Sequence, residues 1–345
     1  VAPNVRFADY LQFMGLDNKA TFNLAQPEYF TEVGKMLATE DLESLKAYMA
    51  WQLANDLSSY LNDAVYMCSF NFYGKTLSGQ PNPRPRWKRV TSVCNNALGE
   101  ALGQLYVAAY FPPEAKERMI QLVNNLKEAF AMRIDQASWM SPATKEKGKE
   151  KLAAILVKVG YPDTWRDYSG LKIENDSYVA NIIRSNIFDM EYSLSKINKP
   201  VDRNEWLMTP QTVNAYYNPT TNEICFPAAI LMPPFFDMHA DDAINYGGIG
   251  VVIGHEMTHG FDDKGHLYDK EGNLNSWWTD EDAANFENNA KVLVDWFNQV
   301  KVSDDPLTYA NGTLCLGENI ADNGGLHISY QAMLNAIEKG QVNRE

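Results

Sequence analysis

The stretch Val251-Val-Ile-Gly-His-Glu-Met-Thr-His259 decides how this chain is read. The run reads as helix, and on a helix of about 3.6 residues per turn His255 and His259 stand one above the other. Two imidazoles so placed reach one metal ion, and zinc is the ion this H-E-x-x-H spacing suits. Glu256 follows the first histidine and projects beside the metal position, where a carboxylate can take a proton from water. The pattern therefore points to metal-assisted hydrolysis, against the bland alternative of a structural helix that carries these residues by chance.

A catalytic zinc takes three protein ligands and keeps one position open. Leu316-Gly-Glu-Asn-Ile-Ala-Asp-Asn-Gly324 supplies the third candidate. Glu318 and Asp322 are four apart and share a helix face, one able to bind metal and the other able to accept a hydrogen bond from the far nitrogen of a ligating histidine. Alone, the pair would equally suit an acidic helix start, because carboxylates favour the positive end of the helix dipole. A di-iron reading of Glu256-Met-Thr-His259 would need a second E-x-x-H, which the chain does not contain.

Taken together, His255-Glu-Met-Thr-His259-Gly-Phe-Asp-Asp263 and Gly317-Glu-Asn-Ile-Ala-Asp-Asn-Gly-Gly325 resemble the neprilysin family (M13) of zinc endopeptidases. Asn214-Ala-Tyr-Tyr217, the segment Phe226-Pro-Ala-Ala-Ile-Leu-Met-Pro-Pro-Phe-Phe236 and Asn245-Tyr-Gly-Gly-Ile-Gly250 extend the likeness. It is strong from Trp206 to Leu326, and residues 139–163 are a weaker echo. The resemblance implies one zinc per chain held by His255, His259 and Glu318. Glu256 and Asp322 are then its catalytic residues, and Asp262 a second carboxylate that orients a histidine. Asn214 and Ala215 are implied as clamps on the substrate backbone, and Ile230, Phe235, Val251 and Val252 as the pocket for the residue after the scissile bond. The substrates implied are short peptides with a hydrophobic residue at that place.

The implied architecture is mainly α with a small β-sheet, a two-lobe metallopeptidase. Residues 1–137 would form a helical, substrate-restricting lobe, and residues 138–345 a thermolysin-like zincin catalytic lobe. The family also carries an oxyanion-stabilising histidine and a substrate-binding arginine beyond the second helix, neither of which is in this sequence. The chain accordingly reads as a fragment lacking both ends, whose missing segments are partners of the same protein. Loss of an oxyanion donor costs about 10²–10³ in rate, so a catalytically weak or silent peptide-binding fragment is the alternative. The resemblance implies an extracytoplasmic place, periplasmic, cell-surface or secreted, with the cytoplasm as the other reading.

Composition agrees with this outline. A chain of 345 residues with 45% apolar and 12% aromatic residues can bury two cores. The formal charge of −14 disfavours nucleic acid. No apolar run is long enough to predict a membrane span, so no membrane contact is expected from this segment. Cys68, Cys94, Cys225 and Cys315 allow two disulfides in three pairings or four free thiols. Asn175-Asp-Ser177 and Asn311-Gly-Thr313 fit a glycosylation pattern but read as polar turns.

Periodicity predicts helices over Asp41–Tyr66 and Pro113–Ile134, and a helix opening at Ser141 as cap with Pro142 in its first turn. Thr212–Tyr217 and Glu223–Phe226 are β-prone runs around the turn-rich Asn218-Pro-Thr-Thr-Asn222, which predicts a hairpin. A strand edge beside the metal helix could pair with an extended peptide.

Overall fold

The computed structural model describes residues 2–16, 23–304 and 308–342. The chain divides into two compact units, residues 1–90 with 171–189, and residues 91–170 with 190–345. The boundary expected at 137/138 lies inside the second unit.

The first unit is built from helices α1 (Phe7–Phe13), α2 (Pro27–Thr39), α3 (Leu42–Asp56) and α4 (Asp63–Ser69), followed by a π-helical turn over Phe70–Leu77. The expected helix over Asp41–Tyr66 is two helices with a 3₁₀ turn at Ser58–Tyr60 between them. The break has a local cause. Asn62 accepts a hydrogen bond from the Val65 amide at 3.1 Å, capping a fresh N-terminus just as Asp41 caps α3 through Ser44. Aromatic contacts knit this unit: Tyr66 stacks on Phe70, and the Arg89 guanidinium lies 3.8 Å over the Tyr66 ring.

The second unit carries α5 (Arg86–Ala97, from Thr91 onward), α6 (Gly99–Tyr110), α7 (Pro113–Gln136), α8 (Pro142–Ala153), α9 (Tyr178–Ser195, from Met190 onward), α10 (Asp242–Asn245), α11 (Val251–His259), α12 (Asp280–Phe297) and α13 (Leu316–Glu338). Ser141 caps α8 as predicted, accepting from the Thr144 amide. Helix α7 buries Ala115, Met119, Leu122, Val123, Leu126, Ala129, Phe130 and Ile134, a stripe at intervals of three and four. That stripe packs on α13 and on the sheet, which ties α7 to the metal helices.

The sheet has three strands in the order β1 (Leu156–Gly160), β3 (Glu223–Pro227), β2 (Tyr216–Asn218). The hairpin is present but short, because Thr212–Ala215 stay outside the ladder: Tyr216 pairs with Cys225 and Asn218 with Glu223. Strand β1, which no sequence signal singled out, runs parallel to β3 with Lys158 opposite Cys225. All five β3 residues are buried, as befits a central strand. Among the described residues all four cysteines are free thiols.

Candidate metal centre

A π-helical turn over Tyr246–Gly250 runs straight into α11. Ile253, Gly254, Met257 and Thr258 face inward on α11, which leaves His255 and His259 half-buried on the opposite side. Their Nε2 atoms lie 2.9 Å apart. Each ring is fixed from behind: His255 Nδ1 is 2.8 Å from Asp322 Oδ1, and His259 Nδ1 is 2.7 Å from Asp262 Oδ2. A carboxylate accepts only, so each Nδ1 carries the donated proton and each Nε2 presents a lone pair. Two lone pairs facing each other at 2.9 Å call for a cation between them.

Glu318 completes the set, with Oε2 3.5 Å from His255 Nε2 and 3.8 Å from His259 Nε2. Three donors on a tetrahedral zinc with bonds of about 2.0–2.1 Å stand about 3.3–3.4 Å apart, and the three separations found here straddle that value. His255, His259 and Glu318 are the one group of His, Cys, Asp and Glu side chains among the described residues with this metal-holding geometry. The donor set therefore fits zinc, and the two aspartates stand where the outer carboxylates of such sites orient imidazoles.

Electrostatics follow from burial. Burial pushes the Asp262 carboxyl up, but His259 and the amides of Gly265 and Lys264 outweigh it and keep the group below the usual carboxylate range. Burial lowers the His259 imidazole, yet Asp262 prevails and raises it, so a proton and a metal ion compete for the same lone pair. Glu256 is only 6% exposed, and burial holds its carboxyl above its ordinary value although both imidazoles pull the other way. A buried carboxylate of raised basicity suits proton transfer.

Close helix contact brings the two motifs together. A Cβ on Gly254 would lie 2.8 Å from Gly325 Cα, and one on Gly325 would lie 2.8 Å from the His255 nitrogen. Only hydrogen side chains let α11 and α13 approach this far. Glu318 and Asp322 thereby reach histidines 59 to 67 residues away in sequence.

The loop after α11 is pinned by a residue sequence reasoning missed. Lys151 of α8 is 1% exposed and donates from Nζ to the carbonyls of Gly260 (2.7 Å), Gly265 (2.8 Å) and Tyr268 (2.7 Å). This fixes the loop that carries Asp262. Lys151 sits in the run Lys145-Glu-Lys-Gly-Lys-Glu-Lys151, where nothing in the sequence separates it from its solvated neighbours. His266, outside the motifs, bonds the Asp262 carbonyl at 2.8 Å and lies tilted against the Trp278 and Phe286 rings, while His239 and His327 are exposed.

Of the expected substrate residues, Asn214 is exposed and Ala215 is buried, both immediately before β2. Strand β2 packs beside α11 and pairs only with β3 among the described residues, so its outer edge is open. Ile230 is buried in the core, with Phe235 and Val252 packed against that core and Val251 half-buried. The Phe235 carbonyl accepts from the Ile249 amide at 2.7 Å, which fastens this segment to the turn leading into α11.

Residues 1–162 match one profile of peptidase family M13, its N-terminal one, and residues 214–344 match a second profile of the same family. Human neprilysin is 36% identical over 334 residues, covering 94% of this chain and 44% of its own length. Human endothelin-converting enzyme 1 is 38% identical over 319 residues, with coverages of 90% and 41%. Among solved structures, the zinc metalloprotease Zmp1 of Mycobacterium tuberculosis in complex with an inhibitor superposes with a TM-score of 0.88 at 42% identity, over 96% of this chain and 53% of that one. PepO of Lactobacillus rhamnosis superposes with a TM-score of 0.82 at 33% identity, over 89% and 48%. The chain spans about half the length of these relatives. With both family profiles matched in order, and the second enclosing every residue of the histidine and carboxylate cluster, the chain belongs to peptidase family M13.

Proposed function

We propose that this chain carries the active centre of a zinc-dependent endopeptidase that hydrolyses short oligopeptides, favouring a hydrophobic residue after the scissile bond. The observation that carries the reading is the pair of Nε2 lone pairs at 2.9 Å, each imidazole locked from behind by a carboxylate, with Glu318 completing the set.

His255, His259 and Glu318 hold the ion, and Asp322 and Asp262 fix the two ring orientations. Bound zinc supplies the Lewis acidity that makes water a usable nucleophile and polarises a peptide carbonyl. Glu256 accepts the proton of the attacking water, a transfer its raised basicity favours, and passes it to the leaving amine. The open edge at Asn214 and Ala215 holds the peptide main chain extended, and Ile230, Phe235, Val251 and Val252 supply the apolar surroundings for the following residue. In the same reading the helical residues 1–137 restrict access to short peptides, and the natural setting is extracytoplasmic. No helix among the described residues is long and apolar enough to cross a membrane.

One observation favours the second reading, a weak or silent peptide-binding site. The Glu318 and Asp322 side chains are 70% and 75% exposed, so water reaches the ligand set freely and weakens every electrostatic term there.

The test combines elemental analysis after dialysis with cleavage of an internally quenched peptide. The parent binds one zinc per chain and cleaves the peptide, Glu318→Ala loses zinc, and Glu256→Gln keeps zinc while losing turnover. Zinc retained without any cleavage by the parent supports the silent reading, and a folded parent that binds no zinc overturns both.

A further inference from the structure

A buried polar cluster beneath the sheet has no part in the mechanism above. The Lys158 ammonium on β1 and the Glu223 Oε2 on β3 form an ion pair at 2.8 Å, with the two side chains only 7% and 2% exposed. Lys158 Nζ also donates to the Glu205 carbonyl at 2.6 Å. The second Glu223 oxygen accepts from the Tyr216 hydroxyl of β2 at 3.1 Å, and that hydroxyl accepts from the Leu207 amide at 3.1 Å. The register explains the assembly. Lys158 and Tyr216 both lie opposite Cys225, and Glu223 is two residues along the same strand, so all four side chains share one face. One connected set of bonds thus spans all three strands and the segment 205–207.

What the cluster holds in place follows from what the ladder leaves out. β2 is three residues long and pairs on one side, and a strand this short has little stability of its own. Asn214 and Ala215 lie outside the ladder, two residues and one residue before Tyr216. Their height beside α11 is therefore set by the first side chain of the strand. Removing the Tyr216 hydroxyl leaves one oxygen of a buried carboxylate without its donor and frees the Leu207 amide, so both the strand and the chain leading into it lose their tether.

We propose that Tyr216 is a positioning residue for the peptide-binding edge: through Glu223 and Leu207 it holds Asn214 and Ala215 where an extended peptide can pair with them. This inference rests on the peptidase reading for its substrate, though its structural half stands apart from it.

The test uses zinc-loaded protein carrying Tyr216→Phe, which keeps the ring and deletes the hydroxyl. Hydrogen exchange at residues 212–218 rises about tenfold while amides of α11 and α13 keep their protection, and zinc content is unchanged. For an internally quenched peptide, KM rises about tenfold and kcat changes less than about threefold, the signature of weakened binding rather than chemistry. Unchanged exchange at 212–218, exchange raised equally throughout residues 91–342, or an unchanged KM each overturns the proposal, the second because it marks a tie that is merely structural. A parent that cleaves no peptide defeats the peptidase reading instead, and the exchange pattern then decides by itself whether Tyr216 holds the edge.

Discussion

Gly254→Ala tests the link between helix packing and metal binding. The added Cβ would meet Gly325 Cα at 2.8 Å, its oxygen at 2.9 Å and its carbonyl carbon at 3.3 Å, all backbone atoms that cannot turn aside. Non-bonded carbons settle at about 3.5–4.0 Å, so the α11–α13 crossing must open by about 1 Å. Glu318 rides on α13, and its 3.5 Å separation from His255 Nε2 would grow to about 4.5 Å, well beyond the roughly 3.3 Å that two ligands of one zinc require. Losing the contribution of one ligand in three is expected to weaken zinc about 100-fold or more, near 2.7 kcal/mol. Stability changes less: overpacking costs about 1–3 kcal/mol, and alanine returns up to about 1 kcal/mol over glycine in a helix. The assay is zinc competition against a colorimetric chelator, with thermal unfolding of the metal-free protein alongside. Gly247→Ala is the control, since a Cβ there meets nothing within 4 Å and should leave zinc affinity alone. If Gly254→Ala binds zinc as tightly as the parent, the close crossing does not set the ligand geometry.

Three further outcomes are expected. Asp322→Ala releases the His255 ring and lowers zinc affinity about 10–100-fold, measured by the same competition; an unchanged affinity would remove Asp322 from the site. Lys151→Met strips donors from three loop carbonyls, costs about 3–5 kcal/mol in denaturant unfolding and weakens zinc through Asp262; a loss below about 1 kcal/mol would show that the loop holds without it. Burial raises the Asp282 carboxyl, but hydrogen bonds from Ser141, Thr144 and Thr279 outweigh it and bring it down to about 2 from an ordinary 3.8. With the folded value depressed, its contribution of about 2 kcal/mol is present above pH 4 and is lost as pH falls towards 2. Asp282→Asn should flatten that part of the acid unfolding curve, and an unaltered curve would contradict the assignment.

Which parts of this were legible in the sequence depends on the range of the interaction. The α11 spacing of His255 and His259 is a property of one helix, as is the i, i+4 placing of Glu318 and Asp322 on α13, and both could be read directly. The Ser141 cap and the hairpin turn at residues 218–222 were equally local. The split of the expected Asp41–Tyr66 helix was missed because apolar spacing continues across it, while the Asn62 cap that causes it is a single hydrogen bond. Strand β1 escaped because a short parallel strand needs a distant partner, and Lys158 looks solvated until the pairing of β1 with β3 brings Glu223 within ion-pair reach.

By itself the sequence determined the donor types, their spacing on each helix and the family likeness, because helix geometry converts residue number into position over one or two turns. Only the tertiary structure decided that α11 and α13 cross glycine on glycine. That contact brings Glu318 up to His255 and His259 and Asp322 behind His255. It also decided that Lys151, Lys158 and Glu223 are buried, with the half-buried Tyr216 bonded to Glu223. These are matters of which surfaces meet across long stretches of chain, and hydrogen bonds, charge pairing and contact distance there depend on the packed whole rather than on any local pattern.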